Sequence, residues 1–260
     1  MSLTYLQMVL AVLSGTVVGF SLGLVGGGGS VMAVPLLVYV VGVDNPHLAI
    51  GTSAVAVALN AGLSLVPHAR AGNVKWHCAL VFAGVGIVGA LTGSFLGKMM
   101  DGQRLLALFA LVMIAISILM LRRGGEEGDP SVRLSRENLP RLVFFGFGAG
   151  ALSGFFGIGG GFLIVPALIA ATGMPMLNAI GSSLVAVTMF GLATAGSYAW
   201  SGLVYGPLVA IFLAGGIVGG FFGVRAGKTL GRRKGALTRL FAIILIVVAI
   251  YMLVRSLILH

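Results

Sequence analysis

Two glycine runs interrupt apolar sequence, Gly26–Gly29 in "GGGGSVMAVP" and Gly157, Gly159, Gly160 and Gly161 in "GIGGGFLIVP". A helix begun on glycine leaves its first N–H groups uncovered, and the dipole there favours an anion. Ser30 follows the first run and stands where the second half has Gly161. A second repeated element, Gly51-Thr52-Ser53 and Gly181-Ser182-Ser183, sets paired hydroxyls at the start of an apolar run. Such hydroxyls either cap their own helix or coordinate a ligand. Asn60, one or two turns further on, adds an amide whose counterpart is the apolar Phe190. These donors include no carboxylate, which suits an anionic ligand. The competing reading of the glycines is close packing and a tight turn.

Other chemistries are excluded by what is missing. "GVGIVG" at 84–89 fits the dinucleotide fingerprint in letters only, since it lies in an apolar run with no strand before it. No Ser-His-Asp set, HExxH or paired carboxylate emerges on a shared face, so an enzyme is not expected. Cys78 is the single cysteine, which excludes an internal disulfide and a cysteine metal cluster; no cofactor or metal is expected. No Asp or Glu lies well inside an apolar run, which argues against a buried carboxylate relay or an acidic sodium cage. Asp44, His47, His68 and Arg70 fall at segment ends, read as interfacial residues or as a gate and proton entrance.

The elements that must hold the donors are set by a chain that is 58% apolar and 8% charged, with mean hydropathy +1.12. The bilayer is its solvent. Ten apolar segments follow, at 4–24, 28–42, 48–66, 78–97, 104–121, 141–156, 159–173, 177–199, 206–225 and 238–256. The first lysine or arginine is Arg70, so 4–24 reads as a retained span and not as a cleaved signal. Segments 28–42 and 159–173 reach only about 22 Å as helix, short of a full crossing, and read as half-spans or tilted short helices. The ladders Gly15/Gly19/Gly23, Gly89/Gly93/Gly97 and Gly219/Gly223/Gly227 have helix-contact spacing, inside the chain or in a homodimer.

The halves repeat. "GGGGSVMAVP" matches "GIGGGFLIVP" at an offset of 131, and "AIGTSAVAV" at 49–57 matches "AIGSSLVAV" at 179–187 at an offset of 130. That offset continues through Gly72 and Gly202 to Gly97-Lys98 and Gly227-Lys228. The polar stretch 122–141 divides a first repeat, 1–121, from a second, 142–260. If each half changes sides an odd number of times, 13 of the 16 basic residues share one face, leaving Lys98, Arg104 and Arg255 opposite. The positive-inside rule then makes the linker cytoplasmic, both termini external and the repeats inverted. The expected fold is all-α and polytopic, with two inverted repeats of about five segments, including short or re-entrant glycine-broken helices. Basic residues scattered over short loops, without interleaved aromatics, exclude a nucleic-acid partner.

With "GLVGGGGSVMAVPLL" followed by "AIGTSAVAV", and "GFFGIGGGFLIVPAL" followed by "AIGSSLVAV", the sequence resembles the TauE/SafE family of sulfite exporters over nearly all of 8–256. The resemblance implies a bacterial inner-membrane carrier of sulfite, related sulfur oxyanions or organosulfonates, driven by the proton motive force. It places the family's glycine motif on Gly26, Gly28, Gly29 and Pro35 and on Gly157, Gly159, Gly160, Gly161 and Pro166. Together the readings give a substrate site near the midplane from Gly26, Gly27, Gly28, Gly29, Ser30, Thr52, Ser53, Asn60, Gly157, Gly159, Gly160, Gly161, Ser182 and Ser183. A passive anion channel and a membrane assembly subunit without a pore are the alternatives.

Overall fold

A computed structural model of the chain describes residues 3–122, 128–129, 131–157, 161–230, 239, 242–243, 246–251 and 253–254. Regular structure among them is helical throughout: α1 (Tyr5–Val25), α2 (Ala33–Pro35), α3 (Pro46–Arg70), α4 (Trp76–Met99), α5 (Gly102–Arg122), α6 (Leu139–Phe156), α7 (Gly161–Thr172), α8 (Met176–Trp200) and α9 (Gly206–Leu230). Among the described residues six helical stretches are long and apolar enough to cross a bilayer. The chain is an all-helical polytopic membrane protein. Nine of the ten expected segments coincide with these elements to within a few residues. The tenth, 238–256, lies partly outside the described residues; Ala249 in it is buried with Leu105, Phe109 and Met113, and Tyr251 meets Tyr39 edge-on at 5.7 Å.

Local chemistry sets the helix starts. Thr4 and Gln7 form a reciprocal capping box at α1, with Thr4 N–H donating to Gln7 Oε1 at 3.0 Å and Gln7 N–H to Thr4 Oγ1 at 3.3 Å. Asn45 caps α3 by accepting from His47 N–H at 2.9 Å, with Pro46 at the first helical position.

The uninterrupted apolar stretch Tyr5–Val40 is not one straight helix. At Gly26 the backbone takes φ +68°, a conformation costly for a residue with a Cβ, and the chain doubles back. Gly29 then rests on the backbone of Ser21 and Leu22, and Gly42 returns to the Gln7 side chain in the first turn of α1. The return path is 3₁₀ over Gly26–Met32, α over Ala33–Pro35 and wide-turned over Leu36–Val40. Pro35 supplies no N–H to a regular ladder, and the turns beyond it loosen, Val41 N–H reaching Leu36 O at 2.9 Å.

The centre of the bundle is the antiparallel pair α3 and α8, crossing where Ala58 meets Gly191 and Gly62 faces Thr188 Cγ2. α9 packs on α3 and carries α1; α4 packs on α8 and carries α6. The glycine ladders make the closest of these contacts. Gly15, Gly19 and Gly23 of α1 meet the backbone of Phe212, Gly216 and Gly220, while Gly89, Gly93 and Gly97 of α4 meet Phe147, Ala151 and Phe155. Bare backbone on both sides lets neighbouring helices approach, the main source of packing energy where lipid removes the hydrophobic drive. The ladders are therefore spent inside the chain.

These contacts are reciprocal between the halves. Gly19 meets Gly216 and its counterpart Gly150 meets Gly86; Gly23 meets Gly220 and its counterpart Gly154 meets Ala90. Each half's first helix thus packs on the other half's fourth, the pattern a two-fold relation requires.

Charge separates the two ends of the bundle. Arg70 and Lys75 lie at the end where α3 finishes, and the linker joins them there, Asp129 N–H donating to Gly173 O at 3.0 Å. α9 also ends on this side, Gly227 lying over Leu24, so Arg225 belongs to it. Lys98 stands at the opposite end, donating to Ser197 O at 3.1 Å and to Ser201 Oγ at 3.1 Å in the last turn of α8. Arg104 follows it at the start of α5.

Candidate functional site

The two glycine breaks seat against the central pair, each on the helix contributed by the other half. Gly26 faces Ile180 and the Ser183 hydroxyl of α8; Gly157, which has φ +66°, faces the Ile50 side chain of α3. Around the first break Gly26 to Ser30 are all buried. Gly27 N–H donates to Ser183 Oγ at 3.0 Å, Ser183 donates in turn to Ile180 O at 2.7 Å, and Ser30 Oγ donates to Gly27 O at 2.8 Å. At the second break Ser53 Oγ donates to Ile50 O at 2.9 Å, as Ser183 does to Ile180. Gly161 opens α7, which packs against Gly26–Met32, bringing the two half-length helices side by side. Gly159 and Gly160 lie outside the described residues.

Thr52 and Ser182 serve neither break. Thr52 Oγ1 accepts the N–H of Tyr205 at 3.1 Å, and Ser182 Oγ accepts the N–H of Lys75 at 2.9 Å. Lys75 and Tyr205 are themselves repeat counterparts, so one bond is made twice, once at each end of the bundle.

The expected residues therefore form two clusters and not one midplane site. Gly26, Gly27, Gly28, Gly29 and Ser30 gather with Ser183; Gly157 meets the side chain of Ile50, whose carbonyl accepts from Ser53. Because α3 and α8 are antiparallel and cross near Ala58, Ser53 and Ser183 are separated by roughly 20 Å along the helix axis. Each stands about 10 Å from the centre of the crossing.

Asn60 lies close to that centre, buried on α3 against Gly216. Among the described residues its Nδ2 has no hydrogen-bond partner. In the other half the same notch is filled by Phe190, whose ring rests on Gly86 and stacks on Phe82 with centroids 6.1 Å apart. Thr194 Oγ1 and Tyr198 OH are also buried without a partner among the described residues. Unspent polar groups in a membrane interior are costly, which makes these positions candidates for contact with a ligand.

The sequence alone underplayed His68. It is buried to 1% exposure, with Nε2 3.4 Å from Gly23 O at the end of α1. The overlooked signal is helical spacing, since Asn60, Ser64 and His68 recur every fourth residue and share one face of α3. Arg70 and Asp44 are exposed at the helix ends, whereas His47 approaches Met100 O at 3.1 Å.

The model of the family described as sulfite exporter TauE/SafE matches residues 11–252, which contain both glycine breaks and both hydroxyl elements. The chain belongs to the TauE/SafE family. A probable membrane transporter protein of Xylella fastidiosa is 51% identical over 98% of each chain. Another, from Haemophilus influenzae, is 30% identical over 95% of this chain and 98% of its own. The probable membrane transporter protein YunE of Bacillus subtilis is 26% identical over 88% of this chain and 90% of its own. The TauE/SafE assignment makes the bundle a membrane transporter.

Proposed function

We propose that the protein carries sulfite, or a related sulfur oxyanion or small organosulfonate, across the bacterial inner membrane by alternating access, coupled to the proton motive force. The observation that carries this reading is the crossed seating of the glycine breaks, each half's break lying on the central helix of the other. A substrate placed between such parts is bound by both halves at once, and rocking of one half against the other changes the side from which it is reached. The donor left unspent is Asn60 Nδ2 near the centre of the crossing, with the glycine-rich turns on either side of it; the Ser183 and Ser53 hydroxyls give their hydrogens to Ile180 O and Ile50 O and brace those turns. These groups stabilise an anion without any fixed positive charge, which permits release as well as binding.

The antiparallel run of α3 and α8 supports inverted repeats. The gathering of Arg70, Lys75, Arg225 and the linker at one end supports a cytoplasmic position for that end. In this reading both termini lie outside. The absence of acidic side chains from the described spans leaves no carboxylate cage for a metal cation; the proton coupling rests on the family resemblance.

Uptake into proteoliposomes of sulfite, thiosulfate, sulfate and a short organosulfonate, with and without an imposed pH gradient, tests the proposal. Gradient-dependent uphill accumulation of at least one sulfur anion is the expected result. Flux that only equilibrates makes the protein a channel, and the absence of flux from folded protein removes the anion reading.

A further inference from the structure

The Gly51-Thr52 and Gly181-Ser182 pairs each hold a loop against a central helix. Gly51 lets the carbonyl of Leu203 press against α3, where a Cβ would collide with it, and Thr52 next door accepts the N–H of Tyr205. Gly181 lets the carbonyl of Asn73 press against α8 with a built Cβ only 2.6 Å away, and Ser182 accepts the N–H of Lys75. In each case a glycine notch admits a loop carbonyl, and the adjoining hydroxyl catches the N–H two residues later. Each fastened loop follows the other central helix: 71–75 leads from α3 into α4, and 201–205 leads from α8 into α9. One fastening sits at the basic end of the bundle and the other at the Lys98 end.

We infer that these two fastenings are the gate latches of the transport cycle, one for each face, and that opening to a face requires release of its own latch while the other holds. The inference rests on the alternating-access reading above. Both latches are closed in this structure, and the residues behind them are sealed: Cys78 in the first turn of α4 is 1% exposed and its counterpart Leu208 in α9 is fully buried. The latches are not equal. Asn178 Nδ2 adds a bond to Asn73 O at 3.4 Å, a bond that the side chain of its counterpart Leu48 cannot make.

Cys78, the single native cysteine, reports on the Lys75 to Ser182 latch. Cys78→Ser combined with Leu208→Cys moves the reporter behind the Tyr205 to Thr52 latch. Modification rates are measured in proteoliposomes with a cationic methanethiosulfonate reagent on both sides of the membrane. Ser182→Ala is expected to speed modification of Cys78 roughly three- to tenfold, the factor that follows from one lost hydrogen bond, without speeding the Leu208→Cys reporter. Thr52→Ala is expected to do the reverse. Ser182→Thr, which keeps the acceptor, restores the parent rate and separates latch loss from misfolding. Equal acceleration of both reporters by either variant, no acceleration by either, or acceleration by only one of the two variants overturns the paired latches. Anion uptake measured on the same vesicles keeps the two readings apart. Reporters that behave as expected in protein that moves no anion sink the transport reading alone, and uptake with silent reporters sinks the latches alone.

Discussion

Asn60 and Phe190 hold the same position in two copies of one motif, and only one of them has a hydrogen to give. If Asn60 donates to the anion, Asn60→Leu lowers uptake by about tenfold or more while leaving the melting temperature unchanged or raised, because an amide without a partner is removed from the interior at little cost in volume. A fall in melting temperature equal to the fall in uptake contradicts that role. Gly26 gives a residue-scale prediction of the opposite kind. Gly26→Ala meets both a positive φ and the Ile180 and Ser183 atoms ahead of it, so it costs more than the ~1–2 kcal/mol of the backbone term alone. Gly84→Ala is the matched control, since nothing lies within 4 Å of its missing Cβ, and it is expected to raise helix stability by about 0.5–1 kcal/mol in the same thermal assay. Outside the membrane, Asp129 accepts from the Ser131 hydroxyl at 2.6 Å and from its N–H at 2.8 Å, and these bonds hold the carboxyl below its ordinary range, with Lys75 adding a smaller pull. A depressed folded-state value stabilises above the unfolded carboxylate range and is lost as pH falls through the folded one. Ser131→Ala therefore shifts the melting temperature near neutrality and has no effect in strong acid.

At the scale of elements, hydropathy located nearly every helix but not its partner. The doubling back at Gly26 was legible as a broken helix, because four glycines cannot be mistaken for a continuous apolar span. Its depth was not, since segment length alone does not reveal that Gly42 returns to Gln7. The hydroxyl pairs illustrate a different limit. Thr52 and Ser53 look equivalent in sequence, yet they point to different neighbours, one to a loop and the other along its own helix. Repeat symmetry supplies part of what periodicity lacks, since Lys75 and Tyr205 stand 130 residues apart as Thr52 and Ser182 do. Proximity to a helix end does not reveal the burial of His68, whereas the recurrence of Asn60, Ser64 and His68 at every fourth residue does carry a signal of it. The ladder contacts yield a prediction that belongs here. Gly19→Val wedges α1 away from Gly216 of α9 and is expected to destabilise by more than Gly84→Val, compared by melting in the same detergent.

For the whole molecule, the basic end either faces the cytoplasm or the proposed orientation is reversed. Cys78→Ser with Ser131→Cys, treated in intact cells with an impermeant thiol reagent, is expected to resist modification until the inner membrane is permeabilised. Cys78→Ser with Ser201→Cys is expected to react at once, because Ser201 is exposed at the Lys98 end. The opposite pattern places the linker outside.

The exchange of partners between halves also fixes an order of assembly during synthesis. The glycine face of α1 is made for α9, and about 200 residues of chain must be translated before that partner exists, on the order of 10–40 s at ordinary ribosome speed. During that interval α1 lies in the bilayer with bare backbone turned toward lipid, while α4 waits in the same way for α6. Neither repeat completes its own packing, so a ribosome that stops in the linker releases a product with two unfilled seams. Quality control by a membrane protease or a waiting insertion factor thus has a recognisable mark on unfinished chains, the uncovered glycine stripe, which vanishes when the last helices arrive.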